Sequence, residues 1–357
     1  MSRETLARID ADALRHNLDV VRGLAPDSRV VSVVKADAYG HGVDLVLPGL
    51  DASDVLAVAT VEELQAVRQA GWTGRLLLLE GFAGSREFDV AARTGAETVI
   101  HHETQLELLE ARGALPGPRC WLKVDTGMHR LGFPESSFED ALARLQALDD
   151  GRPPILMSHF ACADEPASGA TAQQLERFQA VCDRDDLPVS LANSAGLLNF
   201  PESRRDYVRP GILLYGISPL AEATGEDHGL RPVMTLSTHL LAINTVPAGE
   251  RVGYGGRFEC PETLRIGVAG IGYGDGYPRA VPDGTPVLVN GRRAAIAGRV
   301  SMDMITIDLR GHDDARVGDE VILWGRGLPV ETVARAAGMI PYELVCGITG
   351  RVRRVRA

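Results

Sequence analysis

The sequence predicts an α/β protein in which a (β/α)8 barrel of the TIM type is followed by a mainly β domain. Eight short apolar runs alternate with helical stretches over the first two-thirds of the chain, and this alternation implies parallel strands joined by helices. Beyond about residue 219, helical patterns become rare and the apolar runs are separated by Gly and Pro turns. Eight strand–helix units suffice to close a barrel, whose chemistry lies at the C-terminal strand ends.

The eight apolar runs have the length and composition of strands buried on both faces. They are Val30–Lys35, Val55–Thr60, Leu76–Glu80, Thr98–His101, Cys120–Asp125, Ile155–His159, Val189–Asn193 and Tyr207–Gly211. Helices are predicted between them, as in VEELQAVRQAG after the second run and TAQQLERFQAVCDRDD after the sixth. In the latter stretch, Leu175, Phe178 and Val181 are spaced to share one helix face.

The last third of the chain predicts a second, mainly β domain. It follows AEATGEDHG, which reads as a linker, and only PVETVARAAG has a clear helical pattern. We therefore divide the chain into a barrel domain, 1–225, and a β domain, 226–357. The predicted strands are Met234–Val246, Leu264–Ile271, Pro286–Val289, Ala294–Val300, Met304–Leu309 and Glu320–Trp324.

Composition narrows the class of partner. The formal net charge of −11 argues against a nucleic-acid or anionic-membrane partner, because no surplus of cations is available for phosphates. No segment reads as a signal peptide or a membrane span. The five cysteines lack C-x-x-C spacing, so neither a disulfide framework nor a metal site is expected. We expect a cytoplasmic protein.

Ionisable residues lie at the ends of several predicted strands. Side chains alternate along a strand, so Lys35 shares a face with Val31 and Val33 and would stand at the barrel rim. Several such groups converging on one rim indicate a site: Lys35, Lys123, Asp125, His159 and Arg209. A lysine in a water-poor site favours its amine form, which can act as a base or attack a carbonyl.

The loops after the seventh and eighth strands suit a phosphate group, as in many barrels. They contain NSAG (Asn193–Gly196) and RPGI (Arg209–Ile212), which offer small residues, backbone N–H groups and the Ser194 hydroxyl. These signals are individually weak, because small residues at strand ends also serve packing. The residues alone therefore indicate a barrel enzyme with a lysine-centred site.

A series of motifs resembles the alanine racemase family, whose members are fold-type III pyridoxal-phosphate enzymes. In order, these are VVKADAYGHG, LKVDTGMHRLG, SHFACADE, ANSAG, VRPGILLYG, VGYGG, GYGDGYPR and GRVSMDM. The resemblance covers nearly the whole chain. It implies interconversion of L-alanine and D-alanine through a Schiff base of pyridoxal 5′-phosphate, by a two-base mechanism in a homodimer with shared sites. The D-alanine would supply peptidoglycan or be degraded.

The resemblance also assigns roles to individual residues. Lys35 matches the lysine that carries the cofactor and acts as one base, and Tyr254 matches the opposite base, supplied by the partner subunit. Arg209 matches the arginine bonded to the pyridine nitrogen. His159 matches the histidine that links this arginine toward the tyrosine. Arg130 matches the arginine at the cofactor's phenolic oxygen and the substrate carboxylate.

The remaining matches surround these five residues. Lys123 matches a lysine that is often carbamylated and would then orient Arg130. The others match the phosphate cradle (Tyr39, Ser194, Gly211 and Ile212), a backbone contact to the substrate carboxylate (Met302) and the substrate entrance (Tyr273, Arg299 and Asp303).

Three alternatives stay open. A fold-type III decarboxylase is disfavoured by Arg209, because relatives with that activity place a carboxylate at the pyridine nitrogen. A non-enzymatic pyridoxal-phosphate carrier is disfavoured by the β domain with Tyr254 and Met302. A racemase that also accepts serine is suggested by Gly350, which replaces the tyrosine that some relatives carry there in an I-x-Y-R-V setting.

Overall fold

The chain divides into two compact units in a computed structural model that describes residues 4–148, 152–182, 184 and 186–357. The barrel unit comprises Asn17–Ala38 and Gly49–Leu214. The C-terminal unit comprises Tyr215–Ala357 together with Tyr39–Pro48 and the N-terminal segment that ends at His16. The units are therefore discontinuous in sequence, whereas the sequence analysis expected one boundary after residue 225.

The barrel unit is a closed ring of eight parallel strands. The first strand of the chain, β1 (Leu6–Ile9), lies outside this ring, which consists of the next eight. These are β2 (Arg29–Val33), β3 (Val55–Val58), β4 (Arg75–Leu78), β5 (Glu97–Ile100), β6 (Cys120–Lys123), β7 (Ile155–Met157), β8 (Val189–Asn193) and β9 (Tyr207–Arg209). β9 pairs with β2 and closes the ring. The predicted barrel is confirmed, although most strands end about two residues earlier than expected.

Helices alternate with the barrel strands, and local sequence explains their ends. In Val61–Gln69, Thr60 and Glu63 form a capping box, and the buried side chains of Val61, Leu64 and Val67 recur every three residues. Along the described residues, no helix combines the length and apolarity needed to cross a bilayer. The remaining helices before β9 are Ala11–Leu24, Val43–Val46, Ser85–Thr94, Glu103–Arg112, Glu135–Ala147, Ala170–Cys182 and Ser194–Asn199.

A charged and aromatic cluster closes the N-terminal end of the barrel. Arg75 and Glu97, the first residues of β4 and β5, form two hydrogen bonds of 2.7 and 3.0 Å. The buried carboxylate of Glu97 also accepts 2.7 Å from Nε1 of Trp121. The guanidinium carbons of Arg29 and Arg75 are 5.6 and 5.5 Å from the centroid of the Tyr207 ring. This end of the barrel is thus packed with the buried side chains of Glu97, Trp121 and Tyr207.

Removing the Glu97 carboxylate should destabilise the barrel strongly. Glu97→Ala leaves Arg75 without its carboxylate and the buried Trp121 N–H without an acceptor, so we expect a loss of about 3–5 kcal/mol in unfolding free energy. Urea denaturation measures it. Glu110→Ala, which breaks a bidentate pair with Arg144 on the surface, is the matched control and should change stability little. Equal losses in the two variants would contradict this assignment.

The strands of the C-terminal unit after β1 are β10 (Met234–Val246), β11 (Arg251–Val252), β12 (Phe258–Glu259), β13 (Leu264–Ala269), β14 (Pro286–Val289), β15 (Arg292–Ile296), β16 (Ile305–Asp308), β17 (Glu320–Trp324) and β18 (Arg353–Arg356). β11 and β12 pair with each other in a two-stranded sheet, and the others form with β1 one eight-stranded sheet in the order β13-β16-β15-β14-β17-β10-β1-β18. β10 also pairs with β13, so six of these strands form a closed ring. The helices are Val330–Ala337, as predicted, and Pro341–Cys346, which the sequence analysis missed.

Long-range pairing explains why the C-terminal unit takes in earlier segments. β1 pairs with both β10 and β18. Gly40 lies against the backbone of the helix Pro341–Cys346. A Cβ at this position would be only 2.1 Å from the Val345 carbonyl oxygen, so only glycine fits. The predicted linker AEATGEDHG is not free, since the buried carboxylate of Glu331 accepts hydrogen bonds from the N–H groups of Ser218 and Gly225.

Candidate active site

Lys35 follows the end of β2 and begins a left-handed turn. β2 ends at Val33, so the expectation of a strand through Lys35 is wrong. The next four residues, Ala36 to Tyr39, all have positive φ angles of 51–55°. The left-handed conformation costs roughly 1–2 kcal/mol for each non-glycine residue, so the surrounding fold must enforce it. The turn leaves Lys35 half-buried at the C-terminal end of the barrel strands.

The same end of the barrel buries Arg209, which is 3% exposed. Its Nη1 donates 2.7 Å to Ser190 Oγ, and its Nη2 donates to the carbonyl oxygens of Ser158 and Leu191 at 2.6 and 3.1 Å. Burial lowers the pKa of Arg209 to about 9, so the guanidinium stays positive at pH 7. The structure thus holds a fixed cation on the rim.

His159 lies beside this cation. Its Nδ1 is 3.3 Å from Nη2 of Arg209, and a guanidinium can only donate. Nδ1 is therefore the acceptor, and the ring hydrogen belongs to Nε2. Burial and then the charge of Arg209 lower the pKa of His159 well below its ordinary value, which keeps the imidazole neutral. His159 can thus pass a hydrogen bond onward from Nε2.

Lys123 ends β6 and is 6% exposed. Burial, then the charges of Arg209 and Arg130, lower its pKa to about 8. Lys35 also acts on this pKa in the same direction, so the four cations occupy one region of the rim. Lys35 and Lys123 are the only lysines in the sequence, and both lie at this rim.

Arg130 is carried by a loop that Asp125 organises. The Asp125 carboxylate accepts hydrogen bonds from the N–H groups of Gly127 and His129, both at 3.0 Å, and lies 3.0 Å from Nδ1 of His129. Burial alone would raise the pKa of Asp125, but these bonds lower it below its ordinary value. Asp125 therefore supports the loop and leaves the rim strongly cationic.

The two predicted phosphate loops are joined by a hydrogen bond. Ser194 Oγ accepts 2.9 Å from the N–H of Gly211, and Asn193 Oδ1 accepts 2.8 Å from the N–H of Gly196. Ile212 is fully buried next to Gly211. Tyr39, the fourth predicted phosphate contact, belongs to the C-terminal unit, and burial raises the pKa of its hydroxyl.

The other predicted residues cluster within the C-terminal unit. Tyr254 occupies the turn between β11 and β12 and is 70% exposed. A Cβ at the neighbouring Gly255 would lie 3.7 Å from Cζ of Arg299. The N–H of Tyr273 donates 3.0 Å to Ser301, the residue before Met302.

Asp303 and Met302 belong to the same cluster. Asp303 accepts 2.6 Å from Nη2 of Arg351. The Met302 carbonyl accepts 2.9 Å from the N–H of Gly274, so this backbone is fixed next to the turn that carries Tyr273.

Sequence reasoning missed the polar groups that hold the rim in place. Ser158 and Ser190 both contact Arg209, and Thr126 and Gln174 are buried close by. Ser158 and Ser190 are hydroxyl residues inside predicted apolar strands, which was a signal available in the sequence. A buried glutamine on a helix gives no such signal.

Comparison with known proteins identifies the family. The family model described as "Alanine racemase, N-terminal domain" matches residues 9–219, and "Alanine racemase, C-terminal domain" matches residues 233–356. The chain belongs to the alanine racemase family. The resemblance, the fold class and the prediction of a racemase-type enzyme are thereby confirmed.

Individual members of the alanine racemase family align over nearly the full length. The alanine racemase of Nitrosococcus oceani is 51% identical over 98% of both chains, and that of Aliivibrio salmonicida is 48% identical over 97% of both. The crystal structure of the biosynthetic alanine racemase from Pseudomonas aeruginosa superposes with a TM-score of 0.94, at 45% identity over all of both chains. The alanine racemase of Bartonella henselae, with covalently bound pyridoxal phosphate, covers both chains at 27% identity and a TM-score of 0.88.

Proposed function

We propose that this protein interconverts L-alanine and D-alanine with pyridoxal 5′-phosphate as cofactor. The observation that carries the proposal is the cationic barrel rim, where Lys35 and Lys123 lie with the buried Arg209. Membership of the alanine racemase family supports the choice of substrate. A chiral assay of purified protein loaded with the cofactor tests it. D-alanine should accumulate from L-alanine up to a ratio of 1:1, because enantiomers have equal free energies in water.

The rim residues fit the cofactor chemically. A phosphate dianion and a substrate carboxylate both require cations or N–H donors, which this rim supplies. Lys35 would hold the cofactor, Arg209 would donate to its pyridine nitrogen and Arg130 to its phenolic oxygen. The loops around Ser194 and Gly211 would hold the phosphate, together with Ile212 and Tyr39. When bound, pyridoxal phosphate withdraws electrons from the amino acid and makes its Cα proton acidic.

Two side chains would move the proton. Lys35 Nζ would remove or return it on one face of Cα, and Tyr254 Oη would do so on the other. His159 would donate from Nε2 toward the tyrosine oxygen, since Arg209 occupies Nδ1. Arg209 keeps its proton at pH 7, so it leaves the pyridine nitrogen neutral, limits electron withdrawal by the ring and disfavours decarboxylation.

The site would be completed by a second copy of the chain. Tyr254 is exposed, and so are the neighbouring Tyr273 and Met302, which suits a surface that docks on another chain. We therefore propose a homodimer with two shared sites, in which Met302 contacts the substrate carboxylate through its backbone. Tyr273, Arg299 and Asp303 would form the substrate entrance. The enzyme would be cytoplasmic and would supply D-alanine for peptidoglycan or degrade it.

Lys123 should form a carbamate, whose carboxylate would orient Arg130. With a pKa of about 8, the Lys123 amine is neutral in about one-tenth of the molecules at pH 7. An ordinary lysine is neutral in fewer than about one molecule in 10³. Only the neutral amine attacks carbon dioxide, so carbamate formation should increase as the pH rises through 8. ¹³C-bicarbonate should give a carbamate NMR signal that Lys123→Arg lacks. A signal of equal intensity in that variant would contradict the assignment.

A second activity, racemisation of serine, is favoured by Gly350. A Cβ at Gly350 would meet no atom within 4 Å, so a side chain larger than hydrogen fits there. If the open space admits the serine hydroxymethyl group, Gly350→Tyr should reduce L-serine turnover at least about tenfold while alanine turnover persists. Equal serine turnover in both proteins would remove the support for this activity.

A further inference from the structure

One buried glutamine joins the two rim segments that carry Arg130 and His159. Gln174 lies in the helix Ala170–Cys182 and is 3% exposed. Its Oε1 accepts 2.9 Å from the N–H of Ala161, and its Nε2 donates 3.0 Å to the His159 carbonyl oxygen. These partners determine the orientation of the amide, because a backbone N–H only donates and a carbonyl only accepts.

The same Nε2 reaches the loop after β6. It donates 3.2 Å to Thr126 Oγ1, which lies 2.8 Å from Ser158 Oγ. The Ser158 hydroxyl donates 3.0 Å to the Val124 carbonyl, and the Ser158 carbonyl accepts from Arg209. The network connects the helix to both rim segments and to the guanidinium, and its bonds among Gln174, Thr126, Ser158 and Arg209 are buried.

We infer that Gln174 is a positioning residue for racemisation: it holds His159 and the loop that begins at Thr126 in one geometry. The inference rests on the proposed function, because His159 and Arg130 are the site residues on the two segments. An apolar side chain in its place would remove the part-buried hydrogen bonds to the Ala161 N–H and the His159 carbonyl, and the buried one to the Thr126 hydroxyl. Both segments would then shift to find new partners. Displacements of about 1 Å at a site lower rates by as much as about 10²-fold.

The chain offers a matched control, because the adjacent Gln173 is exposed on the same helix. We would compare Gln174→Leu, Gln174→Glu and Gln173→Leu by kcat and KM for L-alanine, well below their melting temperatures. Hydrogen exchange of peptides covering 124–133 and 156–163 gives a readout independent of activity. We expect Gln174→Leu to lower kcat/KM at least about tenfold and to speed exchange in both peptides, while Gln173→Leu matches the wild type.

Gln174→Glu separates positioning from mere packing. The new carboxylate keeps an acceptor for Ala161, but it donates to His159 only when protonated. Its defect in kcat/KM should therefore shrink as the pH falls, relative to the wild type, whereas that of Gln174→Leu should not. The inference would be overturned if Gln174→Leu had the same kcat, KM and hydrogen-exchange rates as the wild type. If the wild type does not racemise alanine, the proposed function fails, and the exchange data alone decide whether Gln174 holds the two segments.

Discussion

Lys35→Ala should abolish racemisation. The variant loses both the amine that would hold the cofactor and one of the two bases. We expect kcat/KM to fall by about 10⁴-fold, the upper end of the range for loss of a proton-transfer group. The measurement is the initial rate of D-alanine formation from L-alanine at saturating pyridoxal phosphate.

The rarity of lysine in this chain provides a direct control. With only Lys35 and Lys123 in the sequence, borohydride reduction of the loaded protein should attach the cofactor to a single peptide. The cofactor adduct should lie on Lys35 in the wild type. Lys123 should carry no adduct in the wild type or in Lys35→Ala. An adduct on Lys123 in the wild type would move the anchor to the other lysine and contradict the assignment.

Tyr254→Phe alone should lower kcat/KM about as much as Lys35→Ala does. Combining one chain of each variant in a mixed dimer should nevertheless restore activity. In a mixed dimer of these two variants, one shared site contains Lys35 from one chain and Tyr254 from the other, and is intact. The second site lacks both. A mixed dimer purified through two different tags should therefore show about half of the wild-type specific activity.

The complementation has its own control. Replacing the Lys35→Ala chain by a chain that carries both substitutions leaves no intact site, so activity should vanish. Sites formed within single chains would give an inactive mixed dimer in the first experiment as well. That result would refute the shared site and leave the lysine assignment unaffected.

The barrel was predictable because its signals are local. Each strand is a short apolar run, and Lys35 closely follows the first run of the barrel. Its place at the C-terminal end of the barrel strands was therefore predictable, although β2 ends at Val33. The turn after Lys35 was not predictable, because the sequence of Ala36 to Tyr39 lacks glycine and each residue disfavours positive φ. Long-range contacts impose that conformation, and no local pattern records them.

Helix faces show the same limit. Leu175 and Val181 were expected to share a buried face with Phe178, but both are only half-buried. The buried face includes Gln174 and Cys182 with Phe178, so the helix is turned relative to the prediction. Gln173 and Gln174 are identical in type and adjacent, and only the tertiary structure separates an exposed amide from one that joins two rim segments.

Racemisation of L-alanine in D₂O, followed by chiral separation and mass spectrometry, tests the two-base account most directly. If Lys35 and Tyr254 act on opposite faces, the proton leaves to one residue and a solvent-derived deuteron arrives from the other. The account predicts D-alanine that carries deuterium at Cα from the earliest time points. D-alanine that keeps its original proton would contradict two bases, and the absence of D-alanine would contradict the proposed function itself.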